Sequence, residues 1–296
     1  MIHLQSVTKT FKRVRVLDGL SLDIGREERV ALVGSNGAGK TTLIRCLLGE
    51  YHHEGLLTID GRSPRADRAE VLAKVGFVPQ LPPPLKMPVG ELIRFTAGVG
   101  GTDPGRMEEI GVRMGLDMAA IRRRPFVKLS GGMKQKVLIA VALGRDAELL
   151  ILDEPAANLD PAARRVLFGL LEERKSGTML ITSHRLDEVA ALVTRVIEMD
   201  GGRVVLDDKV QDAVSLAGLL SCRLTIARPD EAFARAVGEW FFRDAAPGTS
   251  GAGRTWVGEV AGPDRLRFLG MLSRYAGLLT GIDMQETSEV AHVHKA

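Results

Sequence analysis

Only two cysteines occur among the 296 residues, Cys46 and Cys222, far apart in the chain. With no second thiol near either, the sequence offers no disulfide framework and no zinc cluster, and this usage fits a reducing compartment. Aromatic residues make up 4% of the chain and the formal net charge is +3. Nucleic-acid binding calls for clustered Lys/Arg and stacking rings, so no nucleic-acid partner is expected. The run Arg122-Arg123-Arg124 is a local exception, readable as a solvated turn or as a contact for a partner or anionic lipid. No apolar run approaches the roughly 20 residues of a spanning helix. The N-terminal MIHLQSVTKTFKRVRV lacks the apolar core of a secretory signal. The expectation is a cytoplasmic chain, soluble by itself, whose membrane contact comes through a partner only.

What is present is a change of periodicity along the chain. Ile2–Val7, Val14–Leu17 and Leu20–Ile24 alternate and read as short strands of an antiparallel layer. Glu28–Val33 (ERVALV) is an almost continuous apolar run, the mark of a strand covered on both faces. Leu149–Leu152 and Thr178–Thr182 repeat that texture, with a helix at Ala162–Lys175 between them. Strand-helix-strand alternation of this kind builds a parallel α/β sheet. Between Pro79 and Lys128 the pattern is helical and punctuated by proline. Past about Asp208 the texture changes again. Strands at Arg223–Ala227, Thr255–Val260 and Gly281–Glu286, with helices at Asp230–Phe242 and Asp264–Gly277, read as a small βαβαβ module, ferredoxin-like in outline. Phe233, Val237, Trp240 and Phe241 recur at helical spacing, as do Leu266, Leu269, Leu272 and Tyr275, and both sets read as core. His292 and His294 read as part of a frayed tail, with metal binding as the other reading.

Gly34-Ser35-Asn36-Gly37-Ala38-Gly39-Lys40-Thr41 fits G-x-x-x-x-G-K-[ST]. Its glycines let successive backbone N–H groups curl around the β- and γ-phosphates of a nucleotide, and the helix that starts there adds its positive dipole end. Lys40 supplies a point charge to the β/γ oxygens, and the Thr41 hydroxyl can ligate Mg²⁺. Alone the pattern could be a chance glycine turn; here it lies between an apolar strand and a helix. Leu149–Glu154 (LLILDE) closes a buried strand on two carboxylates. Such acids can simply mark a strand's exit to solvent, but in doubly wound sheets the carboxyl ends of parallel strands are where ligands bind. Asp153 is then the Mg²⁺ carboxylate, and Glu154 the general base that polarises the attacking water.

A second anion-binding helix start appears at LSGGMKQ. Ser130 is a natural N-cap, and Gly131 and Gly132 bare the backbone N–H groups behind it. A glycine inside a helix costs roughly 1 kcal/mol against alanine. One γ-phosphate has no evident need of two such cradles from one chain. Two copies facing head to tail resolve this, each lending its LSGG helix to the ATP held by the other.

Taken in order over residues 1–208, these motifs resemble the nucleotide-binding subunit of an ABC transporter, for which LSGG is the family signature. The resemblance implies the P-loop NTPase fold of ABC ATPases: an antiparallel β layer, a parallel α/β core and a helical subdomain at about 81–128. A small C-terminal α+β module would occupy 209–296. It implies ATP and Mg²⁺ as ligands, held by Gly34 through Lys40 with Thr41 and Thr42, and across the dimer by Ser130, Gly131 and Gly132. Phe11 resembles the aromatic residue that stacks on adenine, where the family more often has tyrosine. Gln80 resembles the Q-loop glutamine that touches Mg²⁺ and attacking water. Asn158-Leu159-Asp160 fits the D-loop, whose aspartate orders the dimer interface, and His184 fits the switch histidine at the γ-phosphate. Met133 departs from the common glutamine. The single cassette and the wording of the motifs resemble the ABC-2 exporter type, with separately encoded permease subunits and a peripheral position on the inner face of the cell membrane. The alternative is a soluble ABC ATPase acting on a non-membrane assembly, for which a second cassette or a long coiled-coil insertion would speak.

Overall fold

The computed structural model describes residues 1–174, 176–183, 189–209, 219–245, 254–261, 264–273, 275 and 277–286. His184, His292 and His294 lie outside the described residues, as do the side chain of Leu266 and most of the glycine-rich stretch 244–253. The chain divides into two compact units, Met1–Arg185 with Leu192–Val210, and Leu186–Ala191 with Gln211–Ala296.

The first unit begins with β1 (Ile2–Phe11) and β2 (Val14–Ile24), each one long strand. The sequence pattern had broken β2 in two at Asp18-Gly19, because the register shifts along β1 interrupt the alternation without ending the pairing. After β3 (Arg29–Val33) comes α1 (Lys40–Leu47), then β4 (Glu54–Ile59), which joins β1 antiparallel to complete a three-stranded layer, β2-β1-β4. The short α2 (Arg68–Ala73) leads to β5 (Val75–Val78). Neither β4 nor β5 stands out in the sequence, since both are short and bounded by mixed polar residues.

Helices α3 (Val89–Gly100), α4 (Pro104–Arg113) and α5 (Met118–Ile121) follow, and α6 (Gly131–Gly144) packs with them. Their shared core joins Val89, Ile93, Met107, Phe126 and Val137, all at most 1% exposed. The arginine run behaves as a turn: the Arg122 and Arg124 carbonyls accept the N–H groups of Gly90 and Val89 at the start of α3, and all three arginines are exposed. The α/β core closes with β6 (Leu149–Asp153), α7 (Pro161–Glu173), β7 (Thr178–Thr182), β8 (Arg195–Asp200) and β9 (Arg203–Lys209).

The resulting six-stranded sheet runs β5-β6-β7-β3-β8-β9, parallel except for the last pair. Its centre is dry: every residue of β6 and β7 is buried, as are Val30, Ala31 and Leu32 of β3. At roughly 1.5–3 kcal/mol for each fully buried large aliphatic side chain, this core outweighs any local preference. The strand order also decides the site. Because β7 lies between β6 and β3, Thr182 faces Asp153 on one side and Leu32 on the other at one level of the sheet. The carboxyl end of β3, where the glycine-rich loop starts, is therefore separated from the two acids by a single strand, β7.

The second unit carries β10 (Leu219–Ile226), α8 (Glu231–Gly238), β11 (Arg243–Asp244), β12 (Arg254–Ala261), α9 (Arg265–Ser273) and β13 (Leu279–Glu286). The four strands are antiparallel in the order β11-β12-β10-β13, the split βαβ arrangement of ferredoxin-like folds. The pattern is thus βαββαβ. The extra strand is only two residues long, too short to show any alternation. Phe233 and Val237 are fully buried as expected, but Phe241 is not core: it is 89% exposed, and Phe242 takes the buried place instead. The helix stops at Gly238 because the Phe242 N–H turns back to the Val237 carbonyl (3.2 Å) and the Phe241 N–H to that of Gly238 (3.0 Å). This is a Schellman ending, with Phe241 at the left-handed position (φ 61°).

Candidate functional site

The loop between β3 and α1 holds Gly34 at φ 145° and Gly39 at φ 105°, conformations that side chains rarely adopt. A Cβ on Gly34 would stand 2.2 Å from the Met199 carbonyl oxygen, so the loop must close against the end of β8 with bare backbone. Ala38 is buried beneath the loop, while Ser35, Asn36 and Gly37 are exposed at its crest, and a Cβ on Gly37 would meet nothing within 4 Å. The crest is an open ring of backbone above a buried floor. Lys40 is only 6% exposed, and its Nζ donates to the carbonyls of Gly34 (2.6 Å) and Ser35 (3.1 Å). Burial pushes its ammonium below the ordinary lysine value, and the nearby charges of Glu154 and Asp153 partly offset this. The lysine and both acids therefore share one electrostatic site. Thr41 and Thr42 occupy the first turn of α1, half-buried.

Asp153 is 3% exposed, and its Oδ1 accepts the Thr182 hydroxyl at 2.8 Å. The same hydroxyl oxygen accepts the Glu154 N–H at 2.8 Å. Thr182 thus ties the two acids together, a role that β-strand patterning alone does not distinguish from core packing. Glu154 has a left-handed backbone (φ 48°), which swings its side chain out of the strand's alternation. Its Oε2 accepts the Gln80 Nε2 at 3.0 Å. Gln80, Lys40, Asp153, Glu154 and Thr182 thus converge from four elements, whereas sequence spacing gave the first four only separate positions.

Phe11, at the end of β1, is 39% exposed and meets Tyr51 edge to face, with ring centroids 5.2 Å apart and planes at 81°. The Lys9 Nζ lies 4.6 Å from the Phe11 ring centre. Tyr51 and Lys9 carry no motif; Lys9 is two residues before Phe11 on β1, and only the fold brings Tyr51 to the ring.

The second helix start lies elsewhere in the unit. Ser130 caps α6, its Oγ accepting the Met133 N–H at 3.3 Å, and Ser130 and Gly131 are exposed. A Cβ on Gly132 would sit 3.2 Å from the Asn158 carbonyl oxygen, so this end of α6 adjoins the segment leading to α7. Asp160 caps α7, accepting the Ala163 N–H at 2.8 Å, and the Lys136 Nζ stands 3.5 Å away. The Ala163 N–H, aided by Lys136, holds the Asp160 carboxyl below the ordinary range.

A glycine-rich phosphate loop between a buried strand and a helix, with acids at the end of a neighbouring parallel strand, defines a P-loop nucleotide-binding ATPase. Residues 17–157 match the ABC transporter family. The chain is 35% identical over 217 residues to the aliphatic sulfonates import ATP-binding protein SsuB of Cupriavidus necator, spanning 71% of this chain and 69% of that one. It is 30% identical over 247 residues to the linearmycin resistance ATP-binding protein LnrL of Bacillus subtilis, spanning 80% and 78%. Among solved structures, a dimeric bacterial ABC transporter cassette superposes over 72% of this chain and 100% of that one, with 26% identity and a TM-score of 0.63. The chain belongs to the ABC transporter family as an ATP-binding subunit, an ABC-type ATPase.

Proposed function

We propose that two copies of this chain, head to tail, sandwich two ATP molecules and drive separately encoded membrane subunits by hydrolysing them. The observation that carries this reading is a second anion-binding helix start, exposed and with neighbours different from those of the first. The Gly34–Lys40 loop shares its site with Asp153 and Glu154, while the Ser130 cap adjoins Asn158 and faces outward. Head-to-tail pairing lets the exposed cap of one chain close on the phosphates held by the other. Asp160 would order that interface from the N-terminus of α7, and Phe11 would stack on adenine.

The donor set suits Mg²⁺: a buried carboxylate oriented by a hydroxyl, a helix-start hydroxyl and an amide, all hard oxygen ligands. Asp153, Thr41 and Gln80 would hold it, and it would supply charge neutralisation at the β- and γ-phosphates. Lys40, already stripped of most of its water, exchanges two carbonyls for phosphate oxygens. Glu154 accepts the proton of the attacking water, with Gln80 orienting both, and His184 would contact the γ-phosphate.

A permease partner of the ABC-2 exporter kind, at the cytoplasmic face of the membrane, is supported by the short helical layer α3–α5. The likeness to LnrL, whose name is one of resistance, reaches 80% of this chain, against 71% for the import protein. No helix among the described residues is long and apolar enough to cross a membrane, so that partner would supply the spans.

Glu154→Gln should bind ATP, lose steady-state hydrolysis, and run as a dimer in ATP by size-exclusion chromatography with light scattering. The same variant, pulled from detergent-solubilised host membranes with ATP, should bring down a multi-spanning protein. Normal turnover in Glu154→Gln would remove the general base, and recovery of soluble partners alone would remove the permease.

A further inference from the structure

The turn Arg122-Arg123-Arg124 does its structural work with backbone alone. The carbonyls of Arg124 and Arg122 accept the N–H groups of Val89 (3.0 Å) and Gly90 (2.9 Å), and any residue could supply them. The three side chains are surplus to the turn, and all are exposed. Two strips of chain run side by side here. The N–H groups of Val127 and Phe126 meet the carbonyls of Leu85 and Met87, both at 2.9 Å, and Pro88 bridges to Pro125. This pairing sets Lys86 and Lys128, both exposed, beside the arginines. The Arg122 side chain crosses the start of α3, where a Cβ on Gly90 would meet its Cγ at 2.6 Å. Arg94 stands one turn further along the same helix.

Six cations thus share one ledge of the helical layer. Residues 86–128 hold eight Lys/Arg and five Asp/Glu, so they account for the whole formal charge of +3, and the rest of the chain sums to zero. The acids of the layer do little to answer the ledge. Asp103 and Asp117 are occupied as caps, accepting the N–H groups of Gly105 and Ala120, while Glu108 reaches Arg122 at 3.2 Å. Among the described residues, Lys86, Arg94, Arg123, Arg124 and Lys128 form no ion pair. Clustered like charges repel one another, and glutamine would serve the turn equally well. Beside the ledge, the exposed side of α3 presents Phe95 and Val99, one turn apart and each 61% exposed. Lys/Arg clusters next to an exposed ring suit a surface that lies against anionic lipid, where the charges meet headgroups and the ring enters the interface. An acidic protein segment calls for cations held at fixed positions, and no acid holds these five.

We infer that this ledge binds the headgroups of anionic phospholipids. Contact with the membrane then does not come through a partner only. The inference goes beyond the permease contact proposed above and does not depend on it.

The test is co-sedimentation of the full chain with vesicles of phosphatidylcholine, alone or mixed with phosphatidylglycerol, in the absence of any permease. Wild type should partition onto the mixed vesicles and not onto phosphatidylcholine. Salt at about 1 M, with a screening length of about 3 Å, should release it. Each Lys/Arg near an anionic surface contributes about fivefold in partition, so Arg123→Gln/Arg124→Gln/Lys128→Gln should bind roughly a hundredfold more weakly. That variant should keep the wild-type thermal midpoint and basal ATP turnover, since none of the three belongs to the nucleotide site. Should it not fold, Lys86→Gln/Arg94→Gln takes its place, with an expected loss of roughly twenty-five-fold. Arg123→Lys/Arg124→Lys keeps the charge and should bind as wild type does. Equal binding to both kinds of vesicle, binding to neither, or loss of binding in the lysine variant overturns the inference. If vesicles do not bind, yet the glutamine variant combined with Glu154→Gln no longer recovers the multi-spanning protein, the ledge is a protein contact and the lipid reading fails. If the mixed vesicles bind while Glu154→Gln recovers soluble partners alone, the ledge stands and the permease falls.

Discussion

At the scale of single residues, the candidate site depends on a threonine that patterning assigns to the core. The Thr182 hydroxyl donates to Asp153 and accepts from the Glu154 N–H, both at 2.8 Å, in a place with no solvent exposure. Thr182→Val keeps the shape and removes both bonds, leaving a buried carboxylate oxygen and a part-buried N–H without that partner. Each such group costs about 1–3 kcal/mol. The variant should lose on the order of 2 kcal/mol or more in urea unfolding, with a matching loss of turnover, whereas Thr182→Ser should recover most of both. A valine variant with wild-type stability and turnover would show that the hydroxyl orders nothing. Cys46 illustrates the opposite case, a reactive group silenced by packing. It is 1% exposed in the first core, and burial raises its thiol to about 11, so its role is that of a small apolar side chain.

At the scale of elements, the ending of α8 stores strain that a single change can release. Phe241 occupies the left-handed position of the Schellman motif with its ring in solvent, while Phe242 and Val237 make the buried contact. A non-glycine residue at that position costs roughly 1–2 kcal/mol, and the exposed ring recovers none of it by burial. Phe241→Gly should therefore stabilise the second unit by about 1 kcal/mol. Both tryptophans of the chain, Trp240 and Trp256, pack on that unit's core, so intrinsic fluorescence during denaturation isolates its transition. A lower midpoint in the glycine variant would mean that the ring makes contacts the fold does not show. Helix α6 has the reverse character: at Gly144 a Cβ would come 2.5 Å from the Met107 Cγ, so the close seat of α6 on α4 depends on the missing side chain.

At the scale of the whole molecule, the question is whether one chain suffices. Ser130→Arg places a long cation on the exposed cap of α6, a helix start other than the one that carries Lys40. Nucleotide should still bind to the single subunit, but ATP should no longer produce a dimer by light scattering, and turnover should fall to background. Full turnover from a monomeric Ser130→Arg protein would require both helix starts to serve one nucleotide within one chain.

The sequence by itself determined the pieces that are local. The Gly34–Thr41 loop, the Ser130 cap and the buried runs of β3, β6 and β7 are legible because dipole, glycine freedom and apolar periodicity act over a few neighbouring residues. Past about Asp208 the two helices and three long strands of the second unit also show in the apolar spacing. Short β4, β5 and β11 were not legible, since strands of two to six residues take their conformation from pairing with distant partners rather than from their own pattern. The early end of α8 escaped for a related reason: Trp240-Phe241-Phe242 continues the apolar spacing, and only the choice of which phenylalanine to bury decides where the helix stops. The tertiary structure alone brought Thr182 beside Asp153 and Gln80 onto Glu154. Strand order sets those meetings, and it is fixed by how apolar faces stack across the whole sheet, a long-range balance that no window of sequence contains.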